Sequence, residues 1–336
     1  MKYFQRFVLG GILVVVGYIF IGSVDIAEYR SHRRQIGTIS GQQEFLTSAV
    51  IKKGPISESW IIDMIDESRE RVWISVYSFT LPSLRESLVR AHERGVDVRV
   101  ILEKFPFGNT SINRETEIFL KNNEIPMHLS GENQFAFMHA KFSVIDSDWI
   151  IETANWTRAS FSSNREFFVS GKDVSILENL AAIFEKDFSG GIGGSQDVRL
   201  LAGPTNAHER IINFIGQVNS SLDIYAPSFS DEEILKELST LCLEGKSVRL
   251  LLANYEDSAE PVLEHGTCIQ VHKMKKPLHA KVIIRDKKSA FVGSFNYTKN
   301  SLENNREIGI FLSGEITKSI SESFESDWKL SEVALK

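Results

Sequence analysis

Apolar and polar positions fall into two alternating kinds of run, and the order of those runs is written twice. Residues 57–70 and 206–218 read as helices, each opened by a good N-cap residue, Ser57 or Asn206. An apolar, β-rich run follows each: RVWISVYSFT from Arg71 and SLDIYAPSFS from Ser221. A second helix then ends at Gly95 or Gly245. Beyond each glycine comes another β-rich run, VDVRVIL (96–102) or KSVRLLLA (246–253). Next come the strand-like runs FMHAKFSVIDSDWIIETANWT from Phe137 and PLHAKVIIRDKKSAFVGSFNYT from Pro277. Each half closes on an aromatic-studded helix, ILENLAAIFEKDF from Ile176 and ITKSISESFESDW from Ile316. Alternation of helices and strands predicts α/β sheets with helices on their faces, and the duplication predicts two units about a pseudo-twofold axis. The glycine-rich stretch 189–195 is the natural boundary. The expected domains are therefore 50–190 and 191–336. The first half carries the longer loop, in 103–133, whose Phe105, Pro106, Phe107 and Gly108 are expected to form a lip.

Ahead of the repeat lies a different pattern. Residues 7–24 are uncharged and apolar, preceded by Lys2 and Arg6. As a helix of about 1.5 Å per residue this run reaches about 27 Å, enough for a bilayer core. No A-x-A-like cleavage site follows it, and Asp25 and Glu28 stand where cleavage would fall. The expectation is an uncleaved membrane anchor with flanks over 1–34, followed by a polar linker over 35–49. Lys2 and Arg6 favour a cytoplasmic amino terminus and an extracytoplasmic catalytic part, while Arg30, Arg33 and Arg34 pull the other way.

Composition changes this picture little. The 336 residues are 42% hydrophobic and 24% charged, which excludes a disordered or collagen-like chain. The net charge is −6 and the first 35 residues are basic, so the remainder is more acidic than the whole. That balance gives no general attraction for nucleic acid and leaves only local basic patches. One lies at Lys273, Lys275 and Lys276. Two cysteines, Cys242 and Cys268, exclude a disulfide scaffold and a cysteine zinc site, and leave room for one bridge at most.

The candidate chemistry sits in the repeat. His139-x-Lys141-x4-Asp146 and His279-x-Lys281-x4-Asp286 are the same H-x-K-x4-D pattern on apolar strands. Residues two apart share a face of a strand, so each histidine points the same way as its lysine. A hydroxyl-x-Asn triplet follows each, Thr153-Ala154-Asn155 and Ser294-Phe295-Asn296, and then an Asn-Arg-Glu triplet ending at Glu166 or Glu307. Two histidines can supply a nucleophile and a leaving-group acid. Two lysines can neutralise phosphate oxygens as charge grows on them. Thr153, Asn155, Ser294 and Asn296 can donate hydrogen bonds to the same oxygens. Glu166 and Glu307 can accept a proton from the rear nitrogen of each imidazole. His32, His92, His208, His265 and His272 stand outside any such pattern and read as ordinary surface or core residues.

The doubled pattern resembles the phospholipase D superfamily over about residues 50–330. The resemblance implies two α/β domains with one active site at their pseudo-twofold interface, and phosphodiester cleavage or exchange without a metal or other cofactor. It implies His139 as nucleophile through a phosphohistidine and His279 as acid and then base, with the reverse left open by near-symmetry. It implies structural roles for Asp146 and Asp286. One departure stands out: aligned from the asparagine, Glu152 occupies the place of Gly293. The expected function is a membrane-anchored phosphodiesterase that hydrolyses or transfers phospholipid headgroups, with no obligate protein partner. A nuclease of the same superfamily, with nucleic acid as substrate, and a non-catalytic phosphate- or lipid-binding module are the alternatives.

Overall fold

The computed structural model describes residues 44–106, 111–130, 135–253, 262 and 268–333. In the first half, β1 (Val50–Lys53) precedes α1 (Ser59–Glu67), β2 (Arg71–Val76), α2 (Pro82–Glu93) and β3 (Asp97–Glu103). Then come α3 (Arg114–Asn122), β4 (Met127–Ser130), the hairpin β5 (Phe142–Ile145) and β6 (Asp148–Glu152), α4 (Arg158–Ser162), β7 (Phe167–Gly171) and α5 (Val174–Phe188). The second half repeats the order with β8 (Leu200–Ala202), α6 (Ala207–Gly216), β9 (Ser221–Ala226), α7 (Glu232–Leu243), β10 (Ser247–Leu252) and β11 (Gln270–Lys273). It continues with β12 (Val282–Arg285), β13 (Ser289–Gly293), α8 (Lys299–Glu303), β14 (Ile308–Ser313), a 3-10 turn (Gly314–Thr317), α9 (Lys318–Leu330) and β15 (Glu332–Val333).

The two sheets have one topology. The first runs β1-β7-β6-β5-β2-β3-β4, and the second, read from its other edge, runs β8-β14-β13-β12-β9-β10-β11 with β15 added. In each, a parallel trio (β2, β3, β4 or β9, β10, β11) abuts an antiparallel set that carries the histidine motif. Strand alternation then sorts the core. Val72, Ile74 and Val76 face outward against α1 and α2, in a core with Ile61, Ile65, Leu84 and Leu88. Leu222, Ile224 and Ala226 do the same with Ile211, Ile215, Leu235 and Leu238 of α6 and α7. The inner faces share one central core: Phe142, Val144 and Phe167 of the first sheet, and Tyr225, Val282 and Ile308 of the second. Ile176, Leu180, Ile183 and Phe184 of α5 and Ile320 and Phe324 of α9 complete it, at the three- and four-residue spacing of one helix face. Glu44–Lys336 therefore pack as one unit, with both halves contributing to its middle.

Three expectations need correction or bounding. The linker predicted over 35–49 is folded structure from Glu44 onward. Leu46 exchanges backbone bonds with the β14 edge, donating to Phe311 O (2.9 Å) and accepting from Ser313 N (3.0 Å), while the Phe45 ring packs on Phe214. Polar composition hid this because a short edge segment needs only one or two apolar anchors. Secondly, the long first-half insertion is not mere loop, since α3 and β4 lie in it. Asn113 ties it down, accepting from Phe79 N (2.9 Å) and donating to Tyr77 O (2.8 Å) and Glu103 O (2.9 Å). The expected lip at Phe107 and Gly108, like the apolar run 7–24, falls outside the described residues. Among the described residues no helix is long and apolar enough to cross a membrane. Lastly, Cys242 at the end of α7 and Cys268 ahead of β11 are disulfide-bonded.

Candidate active site

The site begins with a backbone exchange between the halves. The segment before each histidine pairs with the Asn-Arg-Glu triplet of the opposite half. His139 N donates to Arg306 O (2.8 Å) and Arg306 N to Phe137 O (2.8 Å). In mirror fashion Arg165 N donates to Pro277 O (2.7 Å), while His279 N (3.2 Å) and Ala280 N (2.9 Å) both donate to Arg165 O. These crossed pairs draw both motifs to the middle of the molecule.

The arginine side chains brace the crossing. Arg306 forks onto Asp187 of α5 at 2.7 and 3.1 Å and reaches Gly203 O and Gly193 O at 2.9 and 2.7 Å. Arg165 forks onto Asp327 of α9 at 2.7 and 2.8 Å and donates to Gly54 O at 2.6 Å. Each pair joins one half to the other. Sequence reasoning passed over these four residues, although a signal was available: Asp187 and Asp327 hold the same place in FEKDF and FESDW.

The catalytic candidates meet in this crossing. His139 Nδ1 lies 2.9 and 2.8 Å from the Glu307 oxygens, and His279 Nδ1 lies 2.8 Å from Glu166 Oε1. Each imidazole is thus backed by the glutamate of the other half. An ionised carboxylate only accepts, so Nδ1 carries the proton and the Nε2 lone pair is left for chemistry. The glutamates are held in turn. Glu307 accepts from Ser301 Oγ (2.6 Å) and Asn305 Nδ2 (3.2 Å), and Glu166 from Thr153 Oγ1 (2.5 Å). Lys141 Nζ donates to His139 O (2.7 Å) and Lys281 Nζ to His279 O (2.6 Å), which fixes each ammonium beside its imidazole. The two histidines differ in openness: the His139 side chain is 10% exposed and the His279 side chain 26%.

Burial and charge set the protonation states. Burial pushes His139 down to about 4, helped by Lys141 and Lys281 and opposed by Glu307. His279 is lowered by burial and both lysines against Glu166. Burial lowers Lys141 to about 8 and Lys281 to about 7, against the pull of Glu307 and Glu166. Burial alone would raise both glutamates, but the histidines and lysines beside them win and hold them low. The resting site therefore has neutral imidazoles, ionised glutamates and two lysines close to titration. These groups act on one another across the two halves, which is what a shared site requires.

The remaining predicted residues fall into two sets. Asn155 and Asn296 sit half-buried, each with a buried Oδ1 that has no hydrogen-bond partner. Thr153 and Ser294, expected on substrate oxygens, are fully buried and engaged inside the protein. Thr153 Oγ1 holds Glu166 and accepts from Phe167 N (3.0 Å), and Ser294 Oγ accepts from Ile308 N (3.0 Å). Asp146 accepts from the N–H groups of Arg69, Glu70 and Arg71 at 2.9 to 3.0 Å. Asp286 accepts from Asn219, Ser220 and Ser221 at 2.7 to 3.2 Å. Both aspartates stand at positive φ in the hairpin turns and anchor the start of β2 or β9, away from the histidines. His208 bonds Asp231 (3.0 Å) and His272 stacks on Trp328 (3.7 Å between ring centres), both remote in role from the site.

The walls differ. Beside His139, Tyr77 packs edge-on at 4.8 Å between ring centres and meets Phe137 at 6.1 Å, an aromatic wall that the motif alone did not reveal. Ahead of His279, Lys273, Lys275 and Lys276 are exposed, with Lys275 paired to Glu332 at 3.6 Å.

Comparison with known proteins agrees with this geometry. The chain matches the family described as "Cardiolipin synthase, PLD-like domain" over residues 61–188 and 211–328. It is 27% identical to cardiolipin synthase 1 of Bacillus anthracis over 196 residues, 54% of this chain and 36% of that protein. The chain thus spans well under half the length of that curated relative. Among solved structures, phosphatidylserine synthase from Haemophilus influenzae superposes with TM-score 0.66 at 13% identity, over 87% of this chain and 90% of that one. Polyphosphate kinase from Porphyromonas gingivalis superposes with TM-score 0.69 at 14% identity, over 84% of this chain and 50% of that one. At such identities the likeness is one of fold. With both repeats matched, this chain belongs to the phospholipase D-like family that includes the cardiolipin synthases.

Proposed function

We propose that this protein is a phospholipase D-type enzyme that cleaves a phospholipid phosphodiester, passing the phosphatidyl group to water or to an alcohol. The observation that carries this reading is the crossed pairing of each imidazole with the opposite glutamate, His139 with Glu307 and His279 with Glu166. In the proposed reaction His139 Nε2 attacks phosphorus and forms a P–N bond as the P–O bond to the leaving alcohol breaks. His279, neutral in the resting site, takes a proton at Nε2 from solvent once the phosphate anion is bound and gives that proton to the departing oxygen. Water or a second alcohol then loses a proton to His279 and attacks phosphorus, and the P–N bond breaks. The enclosure of His139 favours it as nucleophile, and the more open His279 suits exchange of alcohol and water. Lys141, Lys281, Asn155 and Asn296 would hold the non-bridging oxygens. Thr153 and Ser294 serve as supports for the glutamate and the strand. The aromatic wall of Tyr77 and Phe137 beside His139, with exposed lysines shortly before His279 in the chain, suits an amphiphilic phosphate ester.

The reading also includes anchoring by residues 7–24 with the catalytic part outside the cytoplasm. The Cys242–Cys268 bridge supports that side, because disulfides persist in oxidising compartments. Full-length protein would be incubated, with EDTA present, with phosphatidylglycerol or phosphatidylcholine vesicles and with single-stranded DNA. Headgroup release or exchange is expected, together with loss of activity in His139→Ala and His279→Ala and phosphate label trapped on His139. Cutting of DNA alone would move the assignment to a nuclease, and vesicle binding with no turnover would move it to a binding module.

A further inference from the structure

The chain leading into His139 is held along both of its edges. On one edge Ala136 N donates to Asn304 O (2.9 Å), while Phe137 O and His139 N bond the backbone of Arg306, all in the opposite half. In extended chain successive N–H groups point to opposite sides, so the N–H of Met138 faces away from that triplet. It donates to Glu103 Oε2 at 2.6 Å, at the end of β3. Both residues are buried. A buried N–H without an acceptor is costly, and a carboxylate accepts more strongly than a neutral oxygen. The carboxyl is itself held in place. Its Oε1 accepts from Phe105 N (2.8 Å), and Ser130 Oγ at the end of β4 lies 3.4 Å from Oε2. With a backbone N–H on each oxygen, the group serves only as an acceptor.

The second half has no equivalent tie. Leu102 and Leu252 hold matching places in the β2–β3 and β9–β10 registers, so the place of Glu103 falls to Ala253, whose methyl accepts nothing. The path to the histidine is also shorter there. Met274, which donates its N–H to Leu252 O (3.1 Å), stands five residues before His279, whereas Ser130 stands nine before His139. A longer connection has more conformations to lose on ordering and gains more from an added restraint.

We infer that Glu103 is a positioning residue for His139. Its carboxyl fixes the backbone one residue ahead of the imidazole, on the side that the opposite half does not reach, so that Nδ1 stays on Glu307 and Nε2 is left for chemistry. His279 reaches its place without such a carboxyl. The inference deepens the reading above and rests on it for the part of His139 as nucleophile, while its first test needs no turnover.

Glu103→Gln keeps the size of the side chain and leaves one acceptor oxygen for two N–H groups, so Met138 loses a charged acceptor whichever way the amide turns. Full-length protein labelled with 15N at methionine and histidine would be read by NMR. Met138→Leu assigns the Met138 amide, and His139→Ala and His279→Ala assign the Nδ1–H signals. In the wild-type protein the Met138 amide is expected downfield and slow to exchange. In Glu103→Gln it should move upfield and exchange faster, and the His139 Nδ1–H signal should shift or broaden. The Met274 amide and the His279 Nδ1–H signal should stay in place. A Met138 amide that exchanges freely in the wild-type protein would overturn the inference. So would a His139 signal that ignores Glu103→Gln, or one that moves no more than that of His279. On lipid vesicles, well below the thermal midpoint, the folded variant should lose about tenfold or more in kcat with KM within about twofold. A variant that is merely less stable, with kcat unchanged, would reduce Glu103 to a structural residue and end the inference. If Glu103→Gln fails to fold, Glu103→Asp takes its place with the same readouts, since its stem is one methylene too short to span both N–H groups. Absence of turnover on every phosphodiester alongside the expected spectra would remove the proposed function and leave Glu103 as the group that positions His139.

Discussion

At the scale of single residues, the site works by withholding solvent from groups that water would keep charged. A neutral imidazole is a better nucleophile than an imidazolium, and enclosure secures it for His139 at any pH above about 4. In the proposed reaction the glutamate behind the ring matters most in the transition state, when positive charge would grow on the imidazole. Glu307→Gln and Glu166→Gln should each lower kcat by about 10²- to 10⁴-fold with little change in KM. Steady-state kinetics on vesicles of the preferred lipid check this, and rates within a few-fold of wild type would remove the glutamates from the chemistry. The lysines give a second prediction. Lys281 sits near 7, so at pH 8 it is largely neutral, and an arriving anion must raise its proton affinity. Binding of diethyl phosphate at pH 8 should therefore take protons up from the buffer. Calorimetry in buffers of different ionisation enthalpy reads the sign directly. Proton release, or no change, would contradict it.

Among the elements, the decisive feature is the crossing of each Asn-Arg-Glu triplet into the other half. A crossing strand needs lateral restraint, and the Arg–Asp pairs to α5 and α9 supply it. They are not equally buried: the Arg306 and Asp187 side chains are 1% and 0% exposed, those of Arg165 and Asp327 14% and 4%. Removing one partner of a buried pair strands the other charge, at a cost of about 3–5 kcal/mol. Arg306→Ala should reach that range in denaturant unfolding and Arg165→Ala should fall below it; the reverse order would show that burial does not govern these clamps. The Gly293 position tests the sheet itself. Gly293→Ala presses a methyl into Ile308 O and should cost about 1–3 kcal/mol, read as a lower thermal midpoint.

For the whole molecule, the shared central core means that neither half has a complete inside. A chain of residues 44–192 would expose Phe142, Phe167, Phe184 and their neighbours, a surface that in the intact protein meets Tyr225, Val282 and Ile308. Such a fragment should pair through that face or aggregate. Light scattering with near-ultraviolet circular dichroism checks this, and a well-folded monomer is the contrary result. The same dependence applies to the chemistry, because each histidine and its glutamate come from different halves.

What could be read from the chain alone follows from local physics and repetition. Strand alternation placed each histidine with its lysine, turn chemistry placed Gly95 and Gly245 at helix ends with positive φ, and the doubled pattern announced a doubled α/β fold. Partnership could not be read this way. Nothing in the spacing from His139 to Glu166 says that Glu166 serves His279, since spacing along a chain does not encode which strand lies alongside after folding. Nor could it show that Thr153 turns inward or that Asp187 and Asp327 clamp the crossing. Those are contacts between segments far apart in sequence, and only packing the two sheets across one core brings them within reach of each other.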